Sequence, residues 1–180
     1  MSPDKYLDLK QAIIDKGYSY QIDWAEDCKI CDNSNDFLIE FIFVVCNSGM
    51  KAQIARGIFN KIIVAIQGGI PVWNVFKNFD KVNAINYVWL FKDHYFSGYQ
   101  KSEDKLEYCS TIPYMGEIIK YHLYKNLGGD CVKPDRHLVR IAKQYGTDCF
   151  KMCQNISDII GDKVRTVDYV IWQAANLRMI

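Results

Sequence analysis

The chain has 180 residues, 49% of them apolar and 24% charged, with a net charge of +1. This composition excludes disorder, supplies a core for one domain or two small lobes, and argues against strong nonspecific nucleic-acid binding. The longest apolar run, Phe37–Cys46, is interrupted by Glu40 and falls well short of the roughly twenty residues of a membrane span.

Taken in order, the apolar spacing reads as helix after helix. Asp36–Cys46 is apolar almost all round, as a central helix would be. Ala52–Ile66 places Ile54, Ile58, Ile62 and Ala65 on one stripe, and Gly68-Gly69 stops it. Pro71 opens a short helix beginning Val-Trp-Asn. Asp80–Lys92 puts Val82, Ile85, Val88 and Trp89 at helical spacing, and His94–Ser102 is expected to be a soft connection. Glu103–Cys109, Gly116–Leu127, Asp135–Tyr145, Cys149–Ile160 and Lys163–Leu177 follow as further helices. No stretch sustains the alternation of a half-buried strand, so an all-α fold is predicted.

Charge is unevenly spread. Residues 1–40 hold four Lys against nine acids, whereas Gly116–Gly146 holds six Lys/Arg against three acids. A solvated helix surface and a phosphate-binding face both produce such a run. Seven cysteines, with no basic start or apolar signal core ahead of them, point to free thiols in a soluble cytoplasmic protein, nucleoid-associated if bacterial. Cys28-x-x-Cys31 and Cys149-x-x-x-Cys153 have the spacing of zinc-ligand pairs; Cys149 and Cys153 equally suit small core positions. No metal and no cofactor is assigned.

The most informative segment is Pro113-Tyr-Met-Gly116, followed nineteen residues after its Tyr114 by Lys133-Pro-Asp135-Arg-His137. Leu106 and Ile112 flank the first as apolar anchors, Pro113 opens it, and Gly116 closes it just before a helix. Exposed N–H groups at a helix start attract an anion, although an ordinary interhelical turn is built from the same residues. Pro134 then breaks the chain, and Asp135 precedes the periodic run Leu138, Val139, Ile141, Ala142 as an N-cap. Capping and catalysis are compatible roles for that carboxylate.

Ile112-Pro-Tyr-Met-Gly116, the helix to Leu127, Asp135-Arg-His137-Leu-Val-Arg140 and Tyr145-Gly146 together resemble the helix-hairpin-helix DNA glycosylases, the endonuclease III-like superfamily. The resemblance is closest over Leu106–Gly146 and extends more weakly over Phe37–Phe59. It implies that the hairpin Pro113, Tyr114 and Gly116 grips a DNA phosphate and that Asp135 is the catalytic acid. It places Ser48, Met50 and Gln53 in the segment reaching into DNA, with Met50 filling the gap left by a flipped base and Gln53 its alternative. Lys120 and His137 join the expected DNA contacts, with His122 as a structural or phosphate-facing residue. Trp24, Tyr121, Asp168 and Trp172 are base-pocket candidates; the aromatics suit core positions as well, and Asp168, an acid inside the apolar Val167–Ile171 stretch, suits a cap or pair within the final helix. Tyr114 is a further candidate wall.

The chain departs from the family pattern at three points. Tyr114 replaces the first hairpin Gly, Ile118 stands where bifunctional members carry a Lys, and the four-cysteine iron–sulfur loop is absent. Lys120, two residues beyond Ile118, lies roughly 200° further around a helix. The expected activity is therefore monofunctional base excision from double-stranded DNA by a monomer, without strand cleavage. The expected role is base excision repair or restriction of phage DNA carrying modified bases. The alternatives are a noncatalytic DNA-binding protein retaining this fold and an all-α interaction domain. The expected architecture is one lobe over about 48–112 and a second from 1–47 plus 113–180, with a DNA cleft between them.

Overall fold

The computed structural model describes residues 1–180. Its regular structure is entirely helical. In chain order come α1 (Pro3–Ile13), a π-helical turn (Ile14–Tyr18), α2 (Ser19–Asp27), α3 (Ser34–Asn47), α4 (Ala52–Gln67) and the short α5 (Val72–Val75). Then follow α6 (Phe79–Leu90), α7 (Lys92–Lys101), α8 (Lys105–Ser110), α9 (Ile119–Asn126), α10 (Arg136–Gln144), α11 (Cys149–Ile160) and α12 (Val164–Asn176). No helix is long and apolar enough to cross a membrane.

The starts of these helices are written in side chains. Ser2, Asn33, Asn78, Asp104, Asp135 and Asp148 each accept a backbone N–H of the first turn that the helix itself leaves unpaired. Gly17, at φ 86°, turns the chain between α1 and α2 inside the π-helical stretch.

Two compact units emerge, Ile30–Leu127 and a discontinuous one made of Met1–Lys29 with Gly128–Ile180. These boundaries are wider than the 48–112 expected. The reason lies in α3, which falls with the chain ends in the expected division but forms the centre of the continuous unit. Its Phe37, Phe41, Ile42 and Val45 are fully buried among Ile62 of α4, Ile85 and Val88 of α6, and Leu123 of α9.

The segment expected to be soft is also ordered. His94–Ser102 lies almost wholly within α7, because Phe96 and Tyr99 bury their rings 6.0 and 5.9 Å from Phe37. Polar residues on the outer face of α7 masked this pattern. Gly98 belongs to the packing: a Cβ there would lie 2.1 Å from Tyr108 Oη and 2.6 Å from its Cζ. Alanine normally improves a helix by about 1 kcal/mol over glycine. Here Gly98→Ala is expected instead to destabilise by about 1–3 kcal/mol, because the Tyr108 ring must move. Denaturant unfolding of the two proteins checks the sign.

In the discontinuous unit, Tyr6, Leu9 and Ile13 of α1 pack with Leu138 and Ile141 of α10, Met152 and Cys153 of α11, and Val167, Val170 and Ile171 of α12. The first turn of α12 also ties the unit's two chain stretches together. Arg165, 3% exposed, donates through Nη1 to Gly128 O at 2.9 Å and through Nη2 to Glu26 O at 3.2 Å and Cys28 O at 3.1 Å. Its own N–H donates to Asp130 Oδ1 at 2.8 Å.

Candidate functional site

Asp135 stands where the extended segment after Val132 becomes α10, with φ −79° and ψ 171°. Its N–H donates to Lys133 O at 2.7 Å, so the Lys-Pro-Asp segment folds tightly back on itself. One carboxylate oxygen, Oδ1, accepts the N–H groups of His137 at 2.9 Å and Leu138 at 3.1 Å. Such a cap contributes about 0.5–2 kcal/mol. The capping bonds fix the carboxylate while leaving Oδ2 without a protein partner, and the residue is half-buried.

Of the two roles open to Asp168, a base-edge contact and a structural acid, its surroundings fit the structural one. It is 2% exposed on α12 and accepts the Lys133 N–H at 3.2 Å. It therefore supports the backbone ahead of Asp135. On the outer face of α10, Arg136, Arg140 and Lys143 are exposed at spacings of four and three, which stacks them in one basic stripe. His137 is half-buried at the start of that helix.

In the continuous unit, the turn from Thr111 to Ile118 joins α8 to α9. Ile112 and Met115 are buried as its anchors, and Met115 N–H donates to Ile112 O at 3.1 Å. Tyr114 has φ 72°, the left-handed region that glycine enters without cost. The replacement of glycine at this position thus leaves a glycine-type backbone in place, with the Tyr114 ring packed against the core. Gly116 N–H turns back to Tyr114 O at 3.1 Å, and α9 begins at Ile119 rather than at Gly116. Glu117 and Ile118 donate no backbone hydrogen bond.

Lys120 does not reach outward as expected of a DNA contact. Its ammonium is 2.9 Å from Glu107 and 3.4 Å from Glu117, and these carboxylates hold its pKa above the usual lysine value. Tyr121 follows it, half-buried, with its ring centroid 5.9 Å from that ammonium.

Ser48 ends α3, Gly49 takes φ 69°, Met50 packs partly against the core and Gln53 is exposed in the first turn of α4. A residue that sequence reasoning missed joins this segment to the turn. Lys81 of α6, 4% exposed, donates to Ser48 O at 2.6 Å and Cys46 O at 3.3 Å, with Nζ 5.9 Å from the Tyr114 ring centroid. Burial lowers its pKa below the usual lysine value. The signal was present, since Lys81, Ile85 and Val88 share one helical stripe that is otherwise apolar.

The base-pocket candidates divide between the two units. Trp24, Asp168 and Trp172 belong to the discontinuous unit, whereas Tyr121 belongs to the other. Trp24 is 40% exposed and Trp172 is stacked at a tilt 6.1 Å from Tyr169. Open surface hollows of about 420 and 310 Å³ lie over Asn86, Trp89 and Leu90 and over a group including Asn60, Val64 and Ile70.

No group of three or more His, Cys, Asp or Glu residues is placed to hold a metal ion. Cys149 and Cys153 are small core residues of α11, and burial raises the pKa of the Cys149 thiol. Compared with known proteins, the chain matches no family model, no curated protein and no solved structure.

Proposed function

We propose that the protein is a monofunctional DNA glycosylase that flips a damaged or modified base from duplex DNA and hydrolyses its N-glycosidic bond with Asp135. The observation that carries this reading is the carboxylate of Asp135, immobilised through Oδ1 with Oδ2 left free. Breaking the C1′–N bond builds positive charge on the sugar, as in glycoside hydrolysis. A fixed carboxylate stabilises that charge and orients or deprotonates the attacking water. The base must first leave the stack, and Met50 or Gln53 would occupy the space it vacates.

Two further observations support DNA as the partner. The Arg136, Arg140 and Lys143 stripe begins one residue after Asp135 and suits a phosphate backbone. The left-handed Tyr114 and the unengaged N–H groups of Glu117 and Ile118 suit a helix-hairpin-helix grip on phosphate. Ile118, in the place of a lyase Lys, fits hydrolysis without strand cleavage. Repair and restriction of modified phage DNA are the two settings for this chemistry. The capping bonds of Asp135, which account for that residue without catalysis, favour a second reading, a noncatalytic DNA-binding protein of the same fold.

The test is base release from duplexes carrying damaged and hypermodified bases, read as alkali-labile abasic sites. Release by the wild type without direct strand cleavage is the expected result. Nicking without alkali would overturn the monofunctional assignment. Salt-sensitive binding with no release from any substrate would establish the second reading.

A further inference from the structure

We propose that Lys81 is a positioning residue that locks the Ser48–Met50 segment and the Tyr114 turn together as a single DNA-engaging surface. The role rests on the glycosylase reading, because that reading makes both segments DNA contacts. Lys81 lies in the first turn of α6, where its own N–H is capped by Asn78 Oδ1 at 3.1 Å. From this fixed base the ammonium reaches Ser48 O at 2.6 Å and Cys46 O at 3.3 Å, carbonyls at the C-terminal end of α3. The last carbonyls of a helix lack intrahelical donors and carry the negative end of its dipole, so a cation is favoured there.

Its third neighbour is the Tyr114 ring, at 5.9 Å, within the range of a cation–π contact. No carboxylate pairs with Lys81, and its side chain is almost completely enclosed. A buried cation without a counter-ion is costly, and a methionine would fill the same space without that cost. What the charge supplies is therefore its hydrogen bonds to one segment and its cation–π contact with the other. Both contain a left-handed residue, Gly49 at φ 69° and Tyr114 at φ 72°, which adjacent anchoring holds in place.

The experiment compares wild type, Lys81→Met and Lys81→Arg by hydrogen exchange and by affinity for a duplex containing an abasic-site analogue. In Lys81→Met, exchange is expected to quicken at Ser48–Met50 and at Tyr114–Gly116 together, with protection of α10–α12 unchanged. Affinity should fall about 10-fold, equivalent to 1.4 kcal/mol. Lys81→Arg, which keeps the charge and the donors, should recover both readouts to within about 3-fold of wild type. Unchanged exchange in the two segments, exchange quickened throughout the chain, or a Met variant that binds as well as the Arg variant would overturn the proposal. A wild type that binds no abasic duplex and releases no base would overturn the functional reading and the DNA role of Lys81 with it. Coupled exchange would still separate that failure from an absent Lys81 link.

Discussion

Replacing Asp135 by Asn is expected to reduce base release by about 10²-fold or more while leaving the fold intact. The two effects separate because Asn caps a helix about as well as Asp. The amide oxygen can still accept the N–H groups of His137 and Leu138, so the start of α10 stays closed. Lost instead is the negative charge on the free oxygen, the feature needed beside a sugar that becomes cationic. Asp135→Ala removes both the charge and the cap, and should cost a further 0.5–2 kcal/mol or so of stability. Thermal unfolding of both variants, run beside the excision assay, distinguishes the roles. Equal loss of activity in Asn and Ala variants identifies the charge as essential. Activity that follows stability, with Asn near wild type, would show Asp135 to be a cap alone.

Arg165→Met is expected to lower stability by about 1–3 kcal/mol, since a hydrogen bond to a charged group contributes about 1.5–3 kcal/mol and partly buried acceptors recover some of it from water. Three carbonyls, those of Glu26, Cys28 and Gly128, lose their guanidinium donors at once, while Glu26 O keeps the Lys163 ammonium. They lie on the two separate stretches from which this unit is assembled, so the loss also frees their ends. Thr166 would remain bonded to Glu26 Oε2 at 2.6 Å, which limits the damage to a partial opening of this region. Arg165→Lys should fall between, because one ammonium lacks the planar fork that serves three carbonyls. Denaturant titration measures the loss, and trypsin cleavage after Lys29 reports the freed stretch. A midpoint unchanged by Arg165→Met would show that the three bonds contribute nothing to stability.

The helices were legible where their apolar period was strong or their caps were explicit. Asp36–Cys46 is so apolar that only a central position could bury it, and Asp135 announces α10 by its place after Pro134 and before Leu138. α7 was hidden because two buried aromatics, Phe96 and Tyr99, sit among polar residues and a glycine whose space is filled by Tyr108. The candidate acid was legible for the same reason as its helix, since a cap and a fixed carboxylate demand the same residue. Its supports were not. Asp168 and Lys133 are thirty-five residues apart, and a side chain bonded to a distant backbone N–H leaves no periodic trace.

What the sequence determined by itself is the all-helical fold, the break at Pro134 and the type of residue at each chemical position. These follow from local preferences of spacing, capping and backbone freedom. The tertiary structure alone decided which charges are free. It commits Lys120 to Glu107 and Glu117, turns Asp168 inward, and brings Lys81 to Ser48 and Tyr114. It also gives Tyr114 a glycine's backbone conformation, with the ring packed against the core. Burial and partner choice depend on contacts between residues far apart in the chain, which local sequence preference does not encode.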